Sequence, residues 1–411
     1  MKAVDAGLLA RLAREHGTPF YLYDAAVIRE RLASLRAFDV VRYAQKACSN
    51  LHILRLLRGE GACVDAVSLG ELERAVRAGF VARGDPAGIV YTADILEEAA
   101  LERVLELDVP VNAGSADMLE QIGRRRRGHR VWIRVNPGFG HGHNRKTSTG
   151  GAWSKHGIWH AYLDEALRHV EKYRLDLVGL HMHIGSGADF DHLRRVCDAM
   201  VAQVRALGVD VRAISGGGGL PIPYRPADPR LDTDALYAAW QPVREEVVEL
   251  VGHPVSLEIE PGRYLVAESG VLVAEVRATK RVGPNHFVLV DAGFNDLARP
   301  TLYGSHHEIS IVKREGVPAR GASEPTIVGG PLCESGDVFT QTEGGLVVPR
   351  DLPKAEIGDW LVLHDAGAYA ASMASNYNTR TLAPEILLDG GTTRLIRRRQ
   401  TIDELLALED V

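Results

Sequence analysis

The sequence predicts an α/β protein: a (β/α)8 barrel of the TIM type followed by an all-β domain. Three observations predict it. From about residue 38 to 262, eight short apolar runs alternate with segments whose apolar residues recur every three or four positions. Such alternation implies parallel strands, and eight successive units fit a closed barrel better than a doubly wound open sheet. After residue 270 the helical periodicity gives way to short β-like runs.

The elements follow in order. FYLYD (20–24) reads as a strand ahead of the barrel that can pair with the β domain. The barrel strands are VVRYA (40–44), CVDAVS (63–68), GIVYTA (88–93), VPVNAG (109–114), RVWIRVN (130–136), DLVGLHMHIG (176–185), AISGGGG (213–219) and VSLEIEPG (255–262). Between them lie amphipathic stretches such as GELERAVRAG and LDEALRHVEKY. Ser68, Ser115 and Asp189 mark helix starts, and Gly79 and Gly208 mark stops. The basic run Arg124–Arg127 reads as a solvated loop. Beyond residue 270, GVLVAEVRATKRVG, HFVLVDAG, PTIVGG, GGLVVPR, DWLVLHDAG and EILLDGGTTRLIRRR read as strands, with Asp389-Gly390-Gly391 a hairpin turn. The expected domains are a barrel over 25–270 and a β domain over 271–411 joined by segment 1–24.

Composition bounds the function. The 411 residues carry 48 Lys+Arg and 54 Asp+Glu, a net charge of −6, which argues against nucleic-acid binding. Hydrophobic residues at 45% and charged residues at 25% are globular usage. The four cysteines (Cys48, Cys63, Cys197, Cys333) are far apart and form no C-x-x-C, which fits a reducing compartment. The N-terminus lacks the apolar core of a signal peptide. No apolar run reaches the roughly 18 residues of a membrane span. The expectation is a cytoplasmic protein without membrane or nucleic-acid partners.

Barrel active sites form at the C-terminal ends of the strands, and unusual residues fall there. Lys46 closes the first strand; a desolvated lysine there suits Schiff-base chemistry, the bland alternative being a surface lysine. His181 and His183 alternate along the sixth strand and share a face. They suit a metal pair, a ring stacked on a flat cofactor, or a satisfied core histidine. Gly185-Ser186-Gly187 can offer backbone N–H groups to an anion. Gly216-Gly217-Gly218-Gly219 ends the seventh strand and reads as a phosphate cradle or a tight turn. Glu258, Glu260 and Arg263 end the eighth: a carboxylate there can hold a proton on a pyridine nitrogen, and an arginine can grip phosphate or carboxylate, against a buried ion pair. In the β domain, Cys333 beside Glu334 reads as acid or thiolate, and Tyr369 as a phosphate cap, against ordinary core roles. Imine-forming lysine, ring-facing histidine, ring-nitrogen carboxylate and glycine-rich phosphate turns together describe pyridoxal 5′-phosphate (PLP).

The motifs YAQKACSN, VDAVSLGELERA, HMHIGSG, GGGGLP, EIEPGR, DAGFNDLARP, GPLCESGD and GAYAASMASNYN resemble, nearly end to end, those of the diaminopimelate decarboxylases. These are fold type III PLP enzymes of the alanine racemase-like barrel class. Several motifs are shared with ornithine and arginine decarboxylases; the CES element with the Arg299 and Tyr303 segment resembles the diaminopimelate branch most. Ala47-Cys48 departs from the A-N that many relatives carry. The resemblance implies that Lys46 holds the cofactor, His183 stacks on its ring, and Ser186 with Gly217, Gly218 and Gly219 binds phosphate. It implies that Glu260, in the Glu260-Pro261-Gly262-Arg263 turn, pairs with the ring nitrogen. Arg263, Arg299 and Tyr303 would bind substrate carboxylates, Glu334 the distal amino group, and Tyr369 cofactor and substrate. Cys333 would be the proton donor, and Cys333 and Glu334 would come from the partner chain of a homodimer. The loop 140–157 resembles the family's lid, and its glycines suit mobility. The implied activity is decarboxylation of meso-2,6-diaminopimelate at its D-centre to L-lysine, the last step of lysine biosynthesis, without a metal.

Three alternatives remain open at this stage. One keeps fold and cofactor but takes another basic amino acid, such as D-lysine, D-ornithine or carboxynorspermidine. Another is a metal-dependent hydrolase using His181 and His183. The third is a non-catalytic PLP-binding protein. The sequence also leaves open whether Lys46 or Cys333 delivers the final proton.

Overall fold

The computed structural model describes residues 5–142 and 145–411. The chain begins with α1 (Ala6–His16), β1 (Phe20–Asp24) and α2 (Ala25–Ala33). Then β2 (Val40–Ala44), α3 (Leu51–Gly59), β3 (Cys63–Ala66), α4 (Leu69–Ala78), β4 (Ile89–Ala93) and α5 (Glu98–Leu107) alternate. The alternation continues through β5 (Val111–Ala113), α6 (Ala116–Arg125), β6 (Arg130–Asn136), a short β7 (Ile158–Trp159), α7 (Leu163–Tyr173) and β8 (Asp176–His181). It ends with α8 (Phe190–Leu207), β9 (Ala213–Ser215), α9 (Thr233–Val251), β10 (Ser256–Ile259) and α10 (Arg263–Val266). The remainder comprises β11 (Gly270–Val282), β12 (Asn285–Val290), α11 (Arg299–Tyr303), β13 (Ile309–Val312), β14 (Ser323–Gly329) and β15 (Arg350–Pro353). Last come β16 (Trp360–Leu363), β17 (Glu385–Asp389), β18 (Thr392–Arg397) and α12 (Ile402–Leu406).

The chain divides into two compact units. One comprises Arg29–Ile222 and Arg230–Leu265; the other comprises Met1–Ile28, Pro223–Pro229 and Val266–Val411. In the first, β2, β3, β4, β5, β6, β8, β9 and β10 pair in parallel in that order, and β10 returns to β2. These are the eight strands expected from the apolar runs, closed as a TIM-type barrel. Short strands buried on both faces explain why the runs are continuously apolar rather than alternating. The connecting helices are set by local chemistry. Ser68 and Ser115 accept from the backbone N–H of Glu71 and Met118, and Asp189 accepts from that of His192. Gly79 and Gly208 end their helices in the left-handed conformation. The basic run is corrected: Arg124 and Arg125 form the last turn of α6, where positive charge complements the helix dipole.

In the second unit the strand order is β15-β14-β12-β11-β1-β17-β18, with β16 on β11 and β13 on β16. As expected, FYLYD joins this sheet: β1 runs antiparallel to β11 and parallel to β17. The thirteen-residue β11 serves three partners, β1 and β16 over its first half and β12 over its second, with a register shift between Val276 and Ala278. Leu9 and Leu12 of α1 are fully buried against Phe20, Val273, Val362 and Ile386; each such burial contributes about 1.5–3 kcal/mol. GGLVVPR is corrected as a strand. Gly344 and Gly345 turn the chain with left-handed backbone, Leu346–Val348 are exposed with a single bridge from Val347 to Gln341, and the continuous strand begins at Arg350.

Candidate active site

Within the barrel unit, the expected residues gather at the C-terminal strand ends. Lys46 sits in a single helical turn, Gln45–Ala47, directly after β2. Gln45, buried, donates to the carbonyls of Asp65 and Glu71 and fixes that turn on the neighbouring strand and helix. The Ala44 N–H donates to the Pro261 carbonyl, so the Pro261-Gly262 turn backs directly onto the lysine turn. The protein alone does not desolvate Lys46: its side chain is exposed, not buried as the sequence suggested. Its ammonium acts on Asp65, Glu71 and His183.

The two histidines do not form a metal pair. β8 ends at His181, and His183 lies beyond it. His181, buried, lies with Nε2 2.7 Å from Glu260 Oε2, to which it donates. His183 Nδ1 accepts from the Gly218 N–H at 3.2 Å, which fixes the ring against the glycine turn. Burial, then the charges of Lys46 and Arg134, hold His183 well below the usual histidine range, so it is a neutral flat ring.

Glu260 is the anion of the site. Burial alone would raise its carboxyl, but His181 above all, with Arg42 and Arg134, outweighs this and holds it below the usual carboxylate range. Asp65 goes the other way: burial first, then the Glu260 charge, push it up to about 8. Two carboxyls in one dry space do not both ionise, and here Glu260 carries the charge. Glu258 is the buried ion pair weighed above, bonded to Arg42 at 2.8 Å, and takes no other part.

The anion-binding features are corrected in detail. The Ser186 N–H donates to the Thr147 carbonyl and the Gly187 N–H to the Gly219 carbonyl, so that backbone is already engaged. Ser186 offers its hydroxyl instead, 2.7 Å from Nη2 of buried Arg263. In the glycine run, the N–H groups of Gly216, Gly217 and Gly218 donate to Glu258 O, Ser215 Oγ and His183 Nδ1. The glycines are required for another reason. Gly217 and Gly219 have φ of 63° and 93°. A side chain at Gly218 would run into the Glu260 carbonyl oxygen. The run therefore locks three strand ends together: the Gly216 N–H donates to the Glu258 carbonyl, the Glu260 N–H to the Gly217 carbonyl, and the Met182 N–H to the Ser215 carbonyl.

In the second unit, Arg299 at the start of α11 is buried, with Nη1 donating to His307 Nε2 at 2.9 Å and its guanidinium 4.8 Å from the Tyr224 ring centre. His307 Nδ1 in turn donates to the His364 carbonyl. Burial, then the Arg299 charge, holds His307 well below the usual range, which keeps Nε2 free to accept. Tyr303 ends the same short helix, half-buried. Cys333 and Glu334 are exposed on a turn built from below: the Asp337 carboxylate accepts from the Leu332 and Phe294 N–H groups, and Thr301 donates to the Gly336 carbonyl. Among the four cysteines, Cys333 is the exposed one. Tyr369 adopts a left-handed backbone, φ 58°, a strain of about 1–3 kcal/mol that marks a fixed position. Sequence reasoning missed Arg134, Asp65, Tyr224 and His307. The signal for Arg134 was present, an arginine inside the apolar run RVWIRVN. Tyr224 and His307 reach Arg299 only through the fold.

The barrel residues fit PLP. A carboxylate kept ionised suits a protonated ring nitrogen, a neutral imidazole held by Gly218 suits a ring face, and Arg263 with the Ser186 hydroxyl suits a phosphate. The class follows: residues 25–267 match the family of the "pyridoxal-dependent decarboxylase, pyridoxal binding domain". Within it, the chain belongs to the diaminopimelate decarboxylases and is a PLP-dependent carboxy-lyase. It is 62% identical over 407 residues to the diaminopimelate decarboxylase of Streptomyces coelicolor, covering 99% of this chain and 92% of that one. With the Escherichia coli K12 enzyme of the same name it shares 60% over 402 residues, 98% of this chain and 96% of that one. A crystal structure of a diaminopimelate decarboxylase matches with TM-score 0.95 at 59% identity, covering 98% of this chain and 96% of that chain.

Proposed function

We propose that the chain removes the carboxylate at the D-centre of meso-2,6-diaminopimelate, releasing L-lysine and CO2 at the end of lysine biosynthesis. The observation that carries this reading is an ionised Glu260 held by His181 beside an exposed Lys46 at the barrel mouth. A solved relative from Helicobacter pylori, 32% identical, is complexed with L-lysine.

PLP supplies an electrophilic carbon for the substrate amine and a sink for the electron pair left by CO2. Lys46 would hold the cofactor through its side-chain amine. Glu260 keeps a proton on the ring nitrogen, which stabilises the developing negative charge. His183 would lie against the ring; the Ser186 hydroxyl, Gly219 and Arg263 would hold the phosphate, with Gly217 and Gly218 shaping the turn around it and Pro261-Gly262 supporting the lysine turn. Arg263, Arg299 and Tyr303 bind substrate carboxylates, and Tyr369 touches cofactor and substrate. Cys333 returns a proton to the carbon that lost CO2, and Glu334 binds the distal ammonium. A substrate lacking the distal carboxylate would leave a buried arginine without its anion, which is the basis of selectivity. Cys333 and Glu334, exposed on their turn, serve the site of the partner subunit in a cytoplasmic homodimer. The test compares wild type with Lys46→Ala: visible absorption, borohydride trapping at position 46, and lysine released from meso-diaminopimelate. Wild type should give all three signals and the variant none. A wild type that makes no lysine from this substrate, or a variant that works equally well, overturns the reading.

A further inference from the structure

Outside the decarboxylation site, three metal-ligating side chains converge. His141 lies on the loop after β6, Asp189 caps α8, and His192 is in the first turn of that helix. One ligand atom from each lies within 4.8 Å of the others. His141 Nε2 is 3.3 Å from Asp189 Oδ2, and His192 Nδ1 is 2.7 Å from Asp189 Oδ1. The two imidazoles stack at 3.8 Å between centres. Ligand atoms around a tetrahedral zinc lie about 3.4 Å apart, from bond lengths near 2.1 Å; the two Asp189 contacts are near that spacing, and the stacked rings would have to tilt apart to aim both nitrogens at one ion.

The placement of His141 does not rest on the cluster. Its N–H donates to the Ile184 carbonyl at 3.0 Å, and its own carbonyl fills the space a side chain would take at Gly185. Phe139, two residues earlier, packs under Arg195 of α8, 4.2 Å from guanidinium to ring centre. Thr149 also donates to the Ile184 carbonyl, and Ser186 to that of Thr147. The loop is thus seated on the β8–α8 connection, and two histidines and a carboxylate meet at its edge.

We propose that His141, Asp189 and His192 form a site for a divalent transition-metal ion of the zinc class. Two neutral imidazoles and one carboxylate are the ligands such ions prefer, and three protein ligands leave a fourth position for water. The bound ion ties His141 to the first turn of α8. Its three ligands are none of the residues assigned above to cofactor or substrate, so its test stands apart from the decarboxylation reading.

The experiment titrates untagged holoenzyme with Zn2+ by calorimetry and follows amide exchange of the 138–151 loop with and without the ion. Wild type should take up one ion per chain and slow exchange at the His141 and Thr149 amides. His141→Ala and His192→Ala should weaken binding at least about tenfold and abolish the slowing. Asp189→Asn guards against misfolding, because asparagine caps a helix as well as aspartate but removes the anionic ligand; it too should bind at least about tenfold more weakly. Absence of a wild-type site, equal affinity in His192→Ala and Asp189→Asn, or binding that leaves the loop amides unchanged overturns the proposal.

Discussion

Glu260 and Asp65 show how one barrel end sets two carboxyls to opposite states. Glu260 has a hydrogen-bonded histidine, whereas Asp65 has burial and a neighbouring anion against it. Glu260→Gln keeps an acceptor for His181 but loses the charge, and kcat should fall about 10²–10³-fold with little change in KM. Steady-state kinetics decide this; an unchanged kcat would remove Glu260 from the mechanism. Asp65 makes a prediction about stability. Its folded value, about 8, lies above that of an unfolded aspartate. The folded chain therefore keeps a proton that the unfolded chain releases. This stabilisation is complete below the ordinary carboxylate range and fades as pH rises through the folded value, so between about pH 5 and 8 the wild type should lose stability that Asp65→Asn retains. Thermal unfolding across that interval tests it, and parallel pH profiles would contradict it.

At the scale of elements, much was legible because the determinants are local. Ser68, Ser115 and Asp189 begin helices because their side chains fill backbone donors within three residues, and Gly79 ends one because it accepts a left-handed backbone. The eight barrel runs stood out because strands covered on both faces are uniformly apolar. The glycine run was legible as special, but its use was not: the Gly216 and Gly218 N–H groups are spent on Glu258 and His183 of neighbouring strand ends, partners that sequence spacing does not place. The same holds for Arg299, whose support by Tyr224 and His307 comes from segments 75 and 8 residues away by position, 299 − 224 and 307 − 299. The loop glycines expected for mobility also serve packing, since side chains at Gly140 or Gly150 would meet the opposite arm of the loop; His143 and Asn144 of that loop lie outside the described residues. Gly218→Ala would push the turn off the Glu260 carbonyl, and PLP affinity should fall at least about tenfold while far-ultraviolet dichroism stays that of wild type. Unaltered cofactor affinity on equilibrium dialysis would show the close approach to be dispensable.

For the whole molecule, the decisive property is the division of proposed roles between the barrel, which carries Lys46, and a turn of the other unit, which carries Cys333. If partner subunits complete each other's sites, Lys46→Ala and Cys333→Ala are each inactive alone. After mixing and subunit exchange, about a quarter of sites should be intact and activity should return to that level. Failure to complement under conditions where exchange is demonstrated would assign both residues to one chain. No described helix is long and apolar enough to cross a membrane.

The position of β1 has a consequence for synthesis. Residues 20–24 lie between strands at 270–273 and 385–388. On the ribosome this segment is made before the barrel strands, and both of its neighbours are made after them. All eight staves of the barrel are polymerised in the interval, so the nascent chain has every barrel strand in hand while its opening strand still lacks both flanks.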